Sequence, residues 1–141
     1  MTNHIEMDLL AKPQHVKIRS FDILRFDNLE MPMEIKLKEL NMRETSFGYY
    51  MIDDNQMIPA FWVIDKKSKN DITLKHLQIK EDCYGLSLAK FIINECMKSY
   101  KGFKLDCNKS DEHAYRFLKS LGFKDINDNN RYWVMQAPYH I

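Results

Sequence analysis

One stretch constrains this chain more than any other. Residues 72–79, "ITLKHLQI", read as a strand; "GLSLAKFIINECMKSY" from residue 85 is an amphipathic helix; "FKLDC" at 103–107 is short, apolar and strand-like. In the helix, Leu88, Ala89, Ile92, Ile93, Cys96, Met97 and Tyr100 recur at helical spacing, while Lys90, Asn94, Glu95 and Lys98 face away. Gly102 then ends it. A strand, a helix and a second strand form a βαβ unit, whose two strands run parallel with a right-handed crossover. The chain therefore requires a sheet with at least one parallel pair.

The flanking segments predict an otherwise antiparallel sheet. "FGYYMID" and "MIPAFWVID" are rich in aromatic and apolar residues and flank the polar "DNQ", the pattern of a β-hairpin. Pro59 lacks an N–H and suggests a bulge or an edge position in the second of these strands. "KKSKND" is a second turn, so three antiparallel strands run in succession. In the third, Ile72, Leu74, His76 and Gln78 are expected on one face, with Leu77 and Ile79 on the other.

After "FKLDC", Ser110 or Asp111 can cap a second helix, with Ala114, Phe117, Leu118 and Leu121 as its apolar stripe. Gly122 suits the position just past the helix end, and Phe123 can fold back onto the last turn as in a Schellman motif. "DINDNNRYW" reads as a polar hairpin loop, and "RYWVMQAP" as a final strand stopped by Pro138. The first forty residues are less legible. "HVKIRSF" alternates Val16 and Ile18 with charged residues as a strand would, and "EMPMEIKLKEL" predicts a helix entered at Pro32.

Length and charge set the outer bounds. At 141 residues, without repeats or a linker-like tract, the chain reads as one domain over 1–141. A net charge of +1 gives no field for nucleic acid or membrane, and no apolar run approaches a membrane span. The N-terminus carries Glu6 and Asp8 and lacks the apolar core of a signal peptide. Cys83, Cys96 and Cys107 are odd in number, and their spacing suits neither a disulfide framework nor a zinc site, so reduced thiols in the cytoplasm, and no metal, are expected.

Gly85 stands between a strand and a helix N-terminus, where unpaired N–H groups and the helix dipole favour an anion. Most such glycines only turn the chain. The ordered set "DCYGLSLAKFII" followed by "KLDCNKSDEHAYRFLKSLGFKDI" adds more: it resembles the GCN5-related N-acetyltransferase (GNAT) family over about residues 47–137. The family's glycine loop is written Q/R-x-x-G-x-G/A, and its later motif ends in L-G-F, as do Leu121, Gly122 and Phe123 here, with Ala114 at the family spacing. This sequence departs from the pattern at Asp82 for Gln or Arg, Ser87 for Gly or Ala, and Asp111 for Asn. Leu118 occupies the position of the tyrosine that often protonates the CoA thiolate.

The resemblance implies an α/β (α+β) fold: a mixed, mostly antiparallel sheet of six to seven strands, with a central splayed parallel pair and helices on both faces. It implies that acetyl-CoA is bound by the half spanning about 70–137. Leu77, Gln78 and Ile79 would line the pantetheine arm; Asp82, Cys83, Tyr84, Gly85, Leu86, Ser87 and Leu88 would meet the pyrophosphate, and Asp111 would stand nearby. An aspartate beside a pyrophosphate is repulsive by about 1 kcal/mol when exposed, unless its side chain turns outward.

The reaction implied is direct attack of a primary amine on the thioester. Candidates for the base are His76 and Glu81, and Tyr115 is a candidate acid in place of Leu118. The ordinary alternatives are a histidine on the solvent face, an exposed loop acid and an amphipathic tyrosine. Cys83 and Cys107 are expected to be inert thiols. The aromatic hairpin, with Phe47, Tyr49, Tyr50, Phe61 and Trp62, serves either a substrate groove or the core. The acceptor stays open among polyamine, aminoglycoside, amino acid, peptide N-terminus and protein lysine. A homodimer follows only by analogy. The rival reading is a GNAT-shaped module that binds CoA or another protein without turnover.

Overall fold

A computed structural model describes residues 22–80 and 85–139, and of residues 85–87 the backbone alone. Its elements are β1 (Asp22–Phe26), α1 (Met33–Lys36), β2 (Ser46–Ile52), β3 (Ala60–Ser68), β4 (Asp71–Ile79), α2 (Gly85–Ser99), β5 (Lys104–Asn108), α3 (Glu112–Ser120), β6 (Lys124–Asp128) and β7 (Tyr132–Gln136). The seven strands form one sheet in the order β1-β2-β3-β4-β5-β7-β6. Every neighbouring pair is antiparallel except β4 and β5, which are parallel as the βαβ pattern requires.

The two faces of the sheet bury different residues. Trp62, Ile64, Ile72 and Leu74 pack under α2 and α3, against Leu88, Ile92, Ile93, Phe117 and Leu118. On the other face Phe26, Phe61 and Val63 pack with Ile35 of α1 and with Leu40. Helices therefore cover both faces, and the alternation along β3 feeds both cores at once. Gly48 is where β1 and β2 close up: it lies opposite Phe26, and a Cβ there would come within 2.2 Å of the Phe26 ring.

Helix α3 is bounded as its sequence predicts. Asp111 is the N-cap and accepts from the Ala114 N–H at 3.0 Å. At the other end Gly122 has φ +97°, its N–H donates to the Lys119 carbonyl, and the Phe123 N–H donates to the Leu118 carbonyl. That is the Schellman pattern. Gly102, at φ +65°, turns the chain between α2 and β5.

Several sequence expectations need correction. The helix expected in "EMPMEIKLKEL" shrinks to the four residues of α1, because only Ile35 among them is buried and Leu37 stays exposed. Pro59 is not inside a strand: β3 begins at Ala60 and lies between β2 and β4, so it is no edge. The turn in "KKSKND" narrows to Lys69 and Asn70, since β3 continues to Ser68 and β4 starts at Asp71. Part of the expected loop "DINDNNRYW" is β6, paired with β7 from Lys124 to Asp128. Its side chains are all exposed and, Ile126 apart, polar, which hid it. Strand β1 was also not anticipated, and the strand expected at "HVKIRSF" lies outside the described residues.

The remaining correction concerns the face assignments in β4. Ile64 lies opposite Leu74 and Val63 opposite His76, so Lys75 is an extra residue, a β-bulge. The bulge inverts the alternation. Leu77 and Ile79 pack with the same core as Ile72 and Leu74, while His76 and Gln78 pair with Val63 and Phe61 of the opposite face.

Candidate active site

The two edges of β4 behave differently. Its pairing with β3 runs from Asp71 to Ile79, but it meets β5 at a single register position, Thr73 opposite Lys104. Beyond that point the parallel strands diverge, and the β5-facing backbone of β4 has no strand partner among the described residues. A cavity of about 440 Å³ fills the gap. Leu77, Leu105, Ala114, Phe117 and Leu118 supply apolar wall, and Gln78, Asp106, Asn108, Asp111 and His113 supply polar groups.

This wedge gathers some of the residues expected at the site and leaves others out. His76, Leu77, Gln78 and Asp111 line it. Ile79 packs against the adjoining core, and Leu88 is fully buried beneath α2. Asp111 reaches the wedge wall as the cap of α3, a structural use that coexists with its position there. Glu81, Asp82, Cys83 and Tyr84 lie outside the described residues. Gly85, Leu86 and Ser87 begin α2, directly after that segment.

His76 is half-buried, and its Nε2 stands 3.1 Å from the Leu40 carbonyl. A carbonyl can only accept, so Nε2 is the donor in this contact and Nδ1 takes no part in it. The contact fixes the ring without consuming its basic nitrogen.

Tyr115 is held elsewhere. Its hydroxyl donates to Asp125 Oδ2 at 2.7 Å, and its ring stacks 4.0 Å from that of Trp133. That hydrogen bond to a carboxylate is the first cause of a phenol pKa above its ordinary value, with lesser contributions from burial and from the Asp125 charge. Such a phenol gives up its proton less readily, and it is absent from the wedge lining. Leu118, by contrast, is in that lining and carries no proton to give.

Cys107 lines the wedge as a buried free thiol. Burial first, then the Asp111 and Asp125 carboxylates, push it up to about 11, which suppresses the thiolate a nucleophile needs. His113, in the first turn of α3, was missed in the sequence. Only its place in the "SDEHAYRF" turn just after the cap could have flagged it. Of the aromatic hairpin, Trp62 and Phe61 are core, while Tyr49 and Tyr100 meet through their hydroxyls at 3.3 Å over the α2 end.

Among the described residues no group of three or more His, Cys, Asp or Glu is placed to hold a metal ion. No helix among them is long and apolar enough to cross a membrane.

Solved structures share this architecture. The N-acetyltransferase PseH of Campylobacter jejuni superposes with TM-score 0.63 at 14% identity, over 84% of this chain and 98% of that one. The ribosomal-protein-S18-alanine N-acetyltransferase of Escherichia coli gives 0.59 at 16% identity, over 86% and 95%. The spermidine/spermine N-acetyltransferase SpeG of Vibrio cholerae gives 0.63 at 9% identity, over 84% and 90%. No family model matches the sequence, and no curated protein matches it. The chain has the fold of the GNAT N-acetyltransferases.

Proposed function

We propose that the protein is an N-acetyltransferase that takes its acetyl group from acetyl-CoA and delivers it to a primary amine. One observation carries this reading: the parallel strands β4 and β5 part after a single paired position and open on a cavity with an apolar wall. PseH has also been solved in complex with acetyl coenzyme A, and this chain shares its fold with TM-score 0.62.

The wedge suits the donor chemically. A pantetheine arm is a narrow chain with two amides; the unpartnered edge of β4 offers backbone groups to those amides, and Leu77, Leu105 and Phe117 cover its methylenes. The start of α2 at Gly85 would supply N–H groups to the pyrophosphate. When bound, acetyl-CoA supplies an activated acyl group as a thioester.

This chain's residues then position and deprotonate. His76 presents Nδ1 as proton acceptor for the incoming ammonium, directly or through one water. Glu81 is the second base we propose. Protonation of the thiolate falls to water, because Leu118 cannot donate and Tyr115 is engaged with Asp125. Most of the rate would come from holding amine and thioester together, a source of several kcal/mol or more. The free buried thiols Cys96 and Cys107 fit a reducing, cytoplasmic setting.

Thermal unfolding with and without acetyl-CoA tests the donor. A ligand at a hundred times its dissociation constant adds about 2.7 kcal/mol of stability, and thiol release on adding an amine then marks turnover. Gly85→Trp should erase the shift. No stabilisation at millimolar acetyl-CoA would sink the reading. Stabilisation without thiol release from a broad amine panel would favour the rival, a CoA-binding module without turnover. The missing acid at Leu118 is what favours that second reading.

A further inference from the structure

A second cavity, of about 390 Å³, lies against the wedge, and the two share Leu74, Lys75, His76 and Asp106. Its charges are unevenly arranged. Asp106 stands with His76 at the junction with the wedge; Lys75 also borders the junction but reaches away from it, its Nζ donating to the Asn41 carbonyl at 3.4 Å, while Arg43 and Lys67 line the rest, with Asp65 buried at its wall. Asp65 accepts from the Thr45 hydroxyl. None of Arg43, Lys67 and Lys75 makes an ion pair among the described residues.

The two lysines owe their positions to irregularities in the sheet. Lys75 is the bulge residue of β4, and the register between β3 and β4 shifts again between Lys66 and Ser68, leaving Lys67 unmatched. Bulges re-aim side chains. Two separate bulges on neighbouring strands, together with Arg43 from the loop before β2, place three cations around one cavity. Lys67 is four residues along β3 from Val63, the partner of His76, which is roughly 13 Å of strand.

Resting on the acetyltransfer reading, we propose that this cavity is the acceptor site and that the acceptor is an amine carrying an anionic group, a carboxylate or phosphate. The amine sits at the junction, between His76 and Asp106, where the wedge opens. The anion lies under Arg43, Lys67 and Lys75. Asp65, at the wall, offsets part of this positive charge while accepting from the Thr45 hydroxyl. Polyamines, whose second charge would meet three cations, are disfavoured.

Direct titration is the first test, made by calorimetry at low salt without acetyl-CoA. The probes are 5-aminopentyl phosphate, 5-aminopentanoate, 1,5-diaminopentane and pentylamine. The two amino-anions should bind at least tenfold tighter than the diamine and pentylamine, and the gap should narrow as salt rises. Arg43→Glu with Lys67→Glu should invert the order, and Arg43→Gln with Lys67→Gln should level it. Both double variants should keep the melting shift given by acetyl-CoA, which shows that they fold. A diamine or pentylamine that matches the amino-anions overturns the proposal, as does a preference that survives both double variants. Turnover follows: thiol release with 5-aminopentyl phosphate should exceed that with the diamine at least tenfold in kcat/KM. Failure of acetyl-CoA to stabilise the native protein overturns the donor reading on its own, and the calorimetric order then still decides whether this cavity takes an amino-anion.

Discussion

Strand β4 has two neighbours and treats them differently. Toward β3 it is zipped from Asp71 to Ile79, and the side chains along that seam fill two cores. Toward β5 it is joined only at Thr73 and Lys104. The difference does not arise from weaker strand formers in β5, since Leu105 and Cys107 are buried and β5 pairs with β7 from Lys104 to Asn108. It arises where β4 and β5 diverge. The bulge at Lys75 lies two residues beyond the last shared position and adds local twist to β4 just there. One seam therefore stabilises the fold, and the other holds an opening that a ligand can fill.

The largest expected effect comes from filling that opening. Ala114 is half-buried on the wedge wall, and an indole there would occupy the cavity. Ala114→Trp should abolish the acetyl-CoA melting shift, weakening binding at least a hundredfold, while the ligand-free melting temperature moves little. Arg116→Trp, on the exposed face of the same helix, should leave the shift intact. An unchanged shift in Ala114→Trp would mean that the ligand does not use the wedge.

The two seams should also part company in urea. Ile64 is fully buried in the zipped seam, so Ile64→Ala should cost about 3 kcal/mol, within the range for large-to-small core changes. Leu77 faces the wedge and is half-buried, so Leu77→Ala should cost under about 1.5 kcal/mol yet weaken acetyl-CoA. Equal costs at the two positions would show that the wedge is packed as tightly as the core.

The same contrast explains what the sequence could reveal. The βαβ unit, the β2–β3 hairpin and both ends of α3 were legible because each rests on local signals: helical periodicity, turn residues, a cap and a left-handed glycine. The bulge was not, because nothing in "TLKHLQ" distinguishes an extra residue from a regular one. That single unread residue put His76 and Gln78 on the wrong face of β4. Strand β6 was hidden for a related reason. Its five residues are all exposed, so pairing with β7 and not burial makes it a strand. His113 and the cations of the second cavity depend on register and loop path, which periodicity does not encode.

Smallest in energy, and sharpest as a probe of the two seams, is the chemistry of two thiols. Cys96 lies beneath α2 in the core, where burial first and then Glu95 push it up to about 12; Cys107 lines the wedge and reaches about 11. Both values exceed the ordinary 9.0, so the native state holds these protons more tightly than the unfolded chain. The stability they contribute is complete below pH 9 and is lost as pH rises, toward about 11 for Cys107 and about 12 for Cys96. At pH 7.5 a thiol raised from 9.0 to about 11 holds about a hundredfold less thiolate, so native Cys107 should alkylate about a hundredfold more slowly than in urea. Cys96 should resist until the chain unfolds. In a Cys83→Ser background, iodoacetamide labelling read by mass spectrometry as pH is raised to 10 should mark Cys107 first, and acetyl-CoA should protect it. Simultaneous labelling of the two would mean that opening the wedge requires opening the core, and the independence of the two seams of β4 would be lost.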